Sequence, residues 1–157
     1  MSFMKEDIPD LETLFEDFYH PNPHINEKAY ERMVRFWPKE SMDRLIPNLN
    51  HIDLALRRKS VRALAAYGDR VFEPIINIFL GTEDRVIRTS CFKILVGVVS
   101  KDKSIPLPKE VMNIIEIALL DEFPELILTT VNLLRQLELK GLPLLLKMVD
   151  NNNILMS

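Results

Sequence analysis

Acidic and basic side chains at recurring positions are the residues of this sequence with the greatest capacity for chemistry. Guanidinium and ammonium groups pair with carboxylates, and Arg58, Arg62 and Lys93 supply three such groups. A carboxyl group can move a proton on a bound ligand, and Glu27 and Glu31 are the candidates for that role. These residues are far apart in sequence, so they can act together only if the fold repeats itself.

A repeat is visible in the middle of the chain. The stretch 53–64 is similar to the stretch 84–95, which begins 31 residues later, with aspartate, arginine, a small residue and leucine at matching positions. A period of about 20 to 50 residues is typical of solenoid proteins, in which each unit packs on its neighbours. The remaining chain is therefore interpreted as flanking copies.

Two apolar patterns with helical spacing extend the repeat. The first pattern defines A helices, with four apolar residues on one face beginning at Leu11, Met42, Phe72, Val111 and Leu142. The second pattern defines the B helices between them, beginning at Asn22, Asp53, Asp84 and Phe123. In both series the spacing between successive helices increases from about 31 to 39 residues at the same place, which predicts an inserted loop at 100–107.

These patterns predict an all-α fold. We expect a right-handed α-solenoid of four HEAT-like helical hairpins plus a final helix, in a single domain over residues 1–157. Asn22, Asp53 and Asp84 are predicted to cap their B helices, and the fourth B helix lacks this cap.

Single positions inside the helices refine this prediction. Prolines 47, 74 and 143 fall inside A helices, where proline bends a helix, as in the first helix of HEAT hairpins. Small residues share one position of the B helices and indicate close packing there: Ala29, Ser60, Cys91 and Thr130.

The repeat register places the charged residues on the B helices, just outside the core. One row contains Glu27 and Arg58, and the next contains Glu31, Arg62, Lys93 and Asn132. If the B helices line a concave face, these rows form one groove. The alternative is a surface ion pair between Glu31 and Arg62, worth less than about 1 kcal/mol. Arg57 and Arg88 follow capping aspartates by four residues, which favours a structural Asp–Arg ladder for them.

Composition excludes several classes of function. A net charge of −3 provides no broad basic field for nucleic acid. The single cysteine, Cys91, is interpreted as a packing residue, and one cysteine cannot form an internal disulfide or a cysteine-based zinc site. The three histidines are predicted to lie in turns, so even His20 and His24, which are four residues apart, do not share a helix face, and we expect no metal. No secretory signal or membrane-length apolar segment is visible, which favours a cytoplasmic or plastid location.

The repeat resembles a known family. Its Asp-x-x-Leu/Ile-Arg pattern, and the stretch Arg62-Ala-Leu-Ala-Ala-Tyr67-Gly68, look like the phycobilisome lyase type of HEAT-like repeat. Three further stretches are similar to the N-terminal part of the E/F-type phycobiliprotein lyases. They are His20-Pro-Asn-Pro-His-Ile-Asn-Glu-Lys-Ala-Tyr30, Arg35-Phe-Trp-Pro-Lys-Glu-Ser41 and Leu45-Ile-Pro-Asn-Leu49.

The resemblance implies a lyase, or a lyase subunit, that assists attachment of a phycobilin to a phycobiliprotein cysteine in a cyanobacterium or plastid. The bilin would be a substrate and not a tightly bound cofactor. Its two propionates would pair with Arg58, Arg62 and Lys93, near Asn132, while Glu31 or Glu27 moves the proton. The acceptor protein would supply the thiol, so Cys91 is not a catalytic candidate. The alternative is a non-enzymatic chaperone or adaptor that binds phycobiliproteins during phycobilisome assembly or degradation.

The last predicted helix indicates a second kind of partner. Residues 141–149 form a strongly apolar A helix with no B helix after it. An uncapped repeat leaves an apolar edge. We therefore expect this helix to dock a second lyase subunit or a second copy of the chain.

Overall fold

All regular secondary structure is helical in residues 7–137, the part of the chain that the computed structural model describes. Eight α-helices follow in order: Leu11–Phe18 (α1), Pro23–Phe36 (α2), Pro38–Leu45 (α3), Leu54–Ala65 (α4), Phe72–Leu80 (α5), Arg85–Lys101 (α6), Lys109–Leu119 (α7) and Pro124–Leu137 (α8). Two 3₁₀ helices, Ile46–Asn50 and Gly68–Val71, follow α3 and precede α5. The predicted all-α class is confirmed for these residues, and none of their helices is long and apolar enough to cross a membrane.

The A and B helices occupy the positions that the apolar patterns predict. Helices α1, α3, α5 and α7 are the A helices, and α2, α4, α6 and α8 are the B helices. The final predicted helix, at 141–149, lies outside the described residues, and so does the docking edge assigned to it. The chain divides into two compact units between Tyr67 and Gly68. The single domain and the right-handed solenoid stay predictions.

The first unit contains two stacked hairpins. Helix α1 packs on α2, and α4 packs on α3 and on the 3₁₀ helix that follows α3. The two hairpins meet where α2 packs on α3 and α4. Phe15 and Phe18 meet edge to face at 5.9 Å between ring centroids. The guanidinium of Arg44 lies 3.8 Å from the Phe15 centroid and bonds Glu12 at 2.5 Å, which ties α3 to α1.

The second unit repeats this arrangement with α5–α6 and α7–α8. Like helices pack together, α5 on α7 and α6 on α8. Phe79 and Phe92 form an edge-to-face pair at 5.3 Å inside the α5–α6 hairpin. Because Phe79 and Phe92 are fully buried, truncating either one to alanine is expected to cost about 3 to 5 kcal/mol.

The four small residues of the B helices are all buried, as predicted. Ala29 is 2% exposed, and Ser60, Cys91 and Thr130 are 0% exposed. A larger side chain at these positions would have to displace the packed helices. The Ser60 hydroxyl also accepts a hydrogen bond from Asn48 at 3.1 Å, which joins α4 to the 3₁₀ helix before it.

Two local predictions need correction. Pro74 is the third residue of α5, so it lies in the first turn, where a missing N–H breaks no helical bond. Pro47 does interrupt its helix, because α3 ends at Leu45 and continues as a 3₁₀ helix. The inserted loop is also shifted. Helix α6 runs on to Lys101 because Val98 and Val99 are buried on its core face, so the loop begins at residue 102.

Candidate functional site

Each B helix is preceded by a side chain that accepts a hydrogen bond from the main chain two residues later. The bonds run from Asn22 N–H to His20 Nδ1 (3.0 Å), from Asp53 N–H to His51 Nδ1 (3.0 Å), from Asp84 N–H to Thr82 Oγ1 (3.0 Å) and from Phe123 N–H to Asp121 Oδ1 (2.8 Å). The four acceptors follow the repeat offsets of 31, 31 and 39 residues. His20 and His51 therefore act as hydrogen-bond acceptors, through Nδ1, at the start of α2 and α4.

The carbonyl of the same loop residue accepts a second bond from the helix that follows. Three side chains donate these bonds: Asn26 Nδ2 to the His20 carbonyl (3.1 Å), Arg57 Nη1 to the His51 carbonyl (3.0 Å) and Arg88 Nε to the Thr82 carbonyl (2.8 Å). Ile127 holds the equivalent position in α8 and has no donor. Arg57 and Arg88 belong to the fold, as predicted, but mainly through these carbonyl bonds. The predicted Asp–Arg ladder is represented by Arg88 and Asp121, whose charged groups are 3.7 Å apart.

A cavity of about 530 Å³ opens in the first unit beside these loops. Its walls come from the end of α1 and the loop after it, from the first turn of α2, and from one side of α4 with its N-cap Asp53. The lining residues are Tyr19, Pro21, Pro23, Asn26, Asp53, Ala55, Leu56, Arg58, Lys59 and Arg62. Small-molecule sites have volumes of about 300 to 1,000 Å³, so the cavity has the size of an organic ligand.

The cavity is cationic. Arg58, Lys59 and Arg62 reach it from one face of α4, and its one carboxylate belongs to Asp53. That carboxylate is engaged in capping α4, where it accepts hydrogen bonds from Ala55 N–H at 3.0 Å and Leu56 N–H at 3.4 Å. Neither Arg58 nor Arg62 forms an ion pair within residues 7–137. An anion that enters the cavity would therefore find two guanidinium groups without a competing carboxylate.

Lys59 is held at the edge of the α1–α2 loop. Its ammonium donates to the His20 carbonyl at 3.2 Å and lies 5.8 Å from the centroid of the Phe18 ring. Burial lowers the pKa of Lys59 below its ordinary value, and the nearby charge of Arg62 lowers it further, against an opposing effect of Asp53. The ammonium is thus a cation whose hydration has been reduced and which a ligand anion would stabilise.

Asn26 brings an unsatisfied acceptor to the same cavity. The residue is 2% exposed, and its Oδ1 is buried with no hydrogen-bond partner. The bond from Nδ2 to the His20 carbonyl fixes which end of the amide is the oxygen. A buried polar atom without a partner costs about 1 to 3 kcal/mol, so a hydrogen-bond donor that reached Oδ1 would stabilise the protein.

Glu27 and Glu31 lie on α2 and are exposed. Burial raises the pKa of the Tyr30 phenol. The charge of Glu27 raises it further, that of Arg62 opposes the rise, and that of Glu31 adds to it. The charges of both glutamates and of Arg62 therefore act on the pKa of the Tyr30 phenol, and Arg62 itself lines the cavity. Within the described residues Glu31 and Arg62 form no ion pair with each other.

Lys93 and Asn132 belong to the second unit. Lys93 donates to Glu125 Oε1 at 2.8 Å, an ion pair between largely exposed side chains, and Asn132 is exposed on α8. The register equates Lys93 with Arg62, but Lys93 has a carboxylate partner and Arg62 has none among the described residues. The groove that would join these residues to Arg58 and Arg62 stays a prediction.

Cys91 is a packing residue. It lies on α6 with no exposed surface, and burial raises its pKa to about 12. A thiol with that pKa is a poor nucleophile near neutral pH. Among the described residues, no group of three histidine, cysteine, aspartate or glutamate side chains could hold a metal ion.

Comparison with known proteins gives one informative match. The chain is 29% identical over 114 residues to a protein of Pseudanabaena tenuis (strain PCC 7409) named "Uncharacterized phycocyanin operon protein Z". The match covers 73% of this chain and 56% of that protein, so the chain spans little more than half the length of this relative. No family model matches the chain. The similarity links the chain to phycobilisome-related proteins and leaves its family open.

Sequence reasoning found part of this site and missed the rest. It identified Arg58 and Arg62, but not Lys59, Tyr19 or Asn26. A usable signal for Lys59 was the spacing of Ala55, Arg58, Lys59 and Arg62, which places all four on one face of a helix. Asn26 was not recognised from sequence, because a polar residue that precedes a glutamate and lies outside the apolar pattern is usually solvated.

Proposed function

We propose that this chain is a phycobilin lyase, or a subunit of one, which assists covalent attachment of an open-chain tetrapyrrole to a phycobiliprotein cysteine. The cationic cavity of the first unit carries this proposal, because it offers Arg58, Lys59 and Arg62 to a ligand with carboxylates. The similarity to a phycocyanin operon protein supports a role associated with phycobilisomes. On this proposal the protein works in the cyanobacterial cytoplasm or the plastid stroma.

The bilin would be oriented by its propionates. Two carboxylates can pair with the guanidinium groups of Arg58 and Arg62 and the ammonium of Lys59, and charge-assisted bonds of this kind are about twice as strong as neutral ones. The apolar faces of Tyr19, Pro21, Pro23 and Leu56 suit a flat conjugated ring system. The contribution predicted for Lys93 and Asn132 remains part of the proposal.

The chemical step would be an addition without a change of oxidation state. The acceptor thiol forms a carbon–sulfur bond to one carbon of an exocyclic carbon–carbon double bond of the bilin, the π bond breaks, and the thiol proton is transferred to the tetrapyrrole. Glu31 or Glu27 would move that proton. Their charges reach the same phenol as Arg62, which supports a position near the cavity.

A second candidate function is a non-enzymatic chaperone or adaptor that binds a phycobiliprotein during assembly or degradation. Exposed leucines on the second unit favour it. Leu120 is 66% exposed and Leu128 is 69% exposed, and exposed apolar side chains mark a protein-binding surface where they form a contiguous patch. A second lyase subunit, or a second copy of this chain, would use the same kind of surface.

Binding is tested first by absorbance titration of the protein with biliverdin. Arg58→Glu reverses one cavity charge and is expected to weaken binding about tenfold or more. Lys39→Glu is the matched control, because Lys39 is exposed, lies outside the cavity and gives the same change in net charge. Equal binding by both variants would contradict a role of the cavity.

Catalysis is tested by mixing the protein with bilin and an apo-phycobiliprotein subunit, with and without a partner lyase subunit. The lyase proposal predicts a covalent, zinc-fluorescent adduct that forms faster than it does spontaneously, and a lower rate for Glu31→Gln. Stable binding of the apo-protein with no gain in adduct would leave the adaptor as the function. No binding of either bilin or phycobiliprotein would reject both candidates.

A further inference from the structure

The acceptor of Asn26 identifies a second element of ligand recognition, distinct from the cationic groups. Asn26 lines the cavity, its side chain is almost fully buried, and its Oδ1 has no partner. We infer that Asn26 Oδ1 accepts a hydrogen bond from an N–H group of the bound ligand, and so makes Asn26 a specificity-determining residue. This inference rests on the proposed function, since a bilin carries pyrrole and lactam N–H groups as well as carboxylates.

Comparison between repeats shows that the fold does not need this acceptor. The structural task of the position is to donate to the carbonyl of the loop residue six positions earlier. Arg57 and Arg88 perform it in the next two repeats, and an arginine side chain has donors only. Asn26 performs the same task with Nδ2 and adds an oxygen for which the protein provides no donor. The additional acceptor belongs to a residue that itself lines the cavity, whereas Arg57 and Arg88 are not among the lining residues.

Lys59 is the neighbour through which a ligand can reach this acceptor. The Asn26 amide and the Lys59 ammonium donate to the same His20 carbonyl, at 3.1 and 3.2 Å, so they lie side by side. The lysine side chain is long and flexible, so it can move aside for a ligand that approaches the amide, and the His20 carbonyl keeps its bond from Asn26 when Lys59 moves. This movement does not depend on a carboxylate, so it is open to an acid and to its ester alike.

The resulting site selects for two features at once. A ligand needs a carboxylate for the three cations and an N–H donor for the amide oxygen. Sites that hydrogen-bond a ligand donor discriminate strongly against analogues that lack it, because the protein group is then left unpaired. A carboxylate without an N–H donor satisfies half of the site, and so does an uncharged N–H compound.

The test is a titration of the full chain with two probes, biliverdin and biliverdin dimethyl ester. Asn26→Ala is expected to weaken binding of both by the same factor, about tenfold, because it removes one hydrogen bond to an N–H that both probes share. Arg58→Glu is expected to weaken binding of the free acid alone. Asn26→Asp keeps an acceptor at the same place, so it is expected to bind the ester within about threefold of the wild type.

The outcomes separate this inference from the proposed function. Wild-type affinity of Asn26→Ala for both probes would overturn the inference and leave the bilin site standing. A loss seen with the acid but not with the ester would also overturn it, because Asn26 would then act only through the cations. Loss with both probes, with no effect of Arg58→Glu, would support the inference against the proposed propionate pairing. If the wild type bound neither probe, both proposals would fail.

Folding is controlled in the same experiment. Asn26→Ala removes an unsatisfied buried acceptor together with one donor bond, and the His20 carbonyl keeps Lys59, so its urea-unfolding midpoint is expected to stay close to that of the wild type. A lower midpoint combined with unchanged affinity would assign Asn26 to structure alone.

Discussion

The side chain of His51 gives the sharpest test of the repeated loop. Its Nδ1 accepts the Asp53 N–H at 3.0 Å, and in the next repeat Thr82 Oγ1 accepts the Asp84 N–H at the same distance. If accepting this bond is the role of the position, threonine can replace histidine at 51. His51→Thr transfers the side chain of the next repeat, and His51→Leu is a control that lacks an acceptor.

The size of the effect follows from exposure. His51 is half-buried and Asp53 is exposed, so water can partly replace the lost acceptor. We therefore expect His51→Leu to be less stable than His51→Thr by about 0.5 to 1 kcal/mol, at the lower end of the range for a hydrogen bond. For a chain of this length the difference corresponds to a shift in melting temperature of about 1 to 4 °C.

Urea unfolding followed by tryptophan fluorescence is the appropriate assay. Trp37 is the one tryptophan of the sequence, and it belongs to the same compact unit as His51. Its indole N–H donates to the Pro9 carbonyl at 2.8 Å, so its environment reports on that unit. Equal stability of the leucine and threonine variants would refute a structural role for the acceptor. If both variants were also less stable than the wild type, the imidazole would stabilise the fold through another interaction.

Three further predictions concern single charged or titratable groups. Because burial raises the pKa of Cys91 to about 12 from an ordinary value of about 9, the native state loses up to about 4 kcal/mol of stability as pH rises from 9 toward 12, and urea unfolding of Cys91→Ala should lack this decline. The lowered pKa of Lys59 predicts that its amine is acylated at lower pH than a free lysine model compound, and a mass-spectrometric labelling midpoint at or above that of the model would contradict it. The Lys93–Glu125 pair is exposed, so a double-mutant cycle should give a coupling energy below about 1 kcal/mol that disappears in 1 M salt, and a larger, salt-resistant value would be inconsistent with that exposure.

The helices could be predicted because their signal is local and repeated. Mostly apolar residues at the core-facing positions, and an aspartate or asparagine before three of the four B helices, recur along the chain, and each copy supports the others. The caps at Asn22, Asp53 and Asp84 are confirmed, with hydrogen bonds of 2.9 to 3.0 Å to main-chain N–H groups. The bend expected at Pro74 was wrong because the apolar pattern does not distinguish the first turn of a helix, where proline breaks no helical bond, from its interior.

The loop acceptors could not be recognised from sequence in the same way. His20, His51, Thr82 and Asp121 have no common residue class, although each can accept a hydrogen bond. Their equivalence becomes visible only when the N–H that each one binds is known. Sequence reasoning weighed the histidines as metal ligands and rejected that role, but it could not assign the structural one.

The same limit explains which site residues were found. Arg58 and Arg62 were predicted because a charge just outside a repeated core position must reach the surface. Asn26 was missed because it replaces an arginine of the repeat with a shorter side chain, which lies within the fold instead of extending from it. Lys59 was missed because its register position carries a lysine in the first two repeats and a small polar residue in the third and fourth, Ser90 and Thr129. This variation did not mark a site.

Unsatisfied polar groups, rather than the repeat itself, distinguish the candidate site. Lys93 and Arg62 hold the same register position, yet Lys93 has the Glu125 carboxylate at 2.8 Å, while Arg62 forms no ion pair within residues 7–137. Asn26 and Arg57 hold another shared position, yet only Asn26 leaves an atom without a partner. Charge and hydrogen-bonding capacity left unused by the protein both occur around the cavity of the first unit. A ligand that supplies a carboxylate and an N–H donor would satisfy both, so ligand binding should raise the unfolding midpoint of the first unit, and Arg58→Glu or Asn26→Ala should each remove part of that increase.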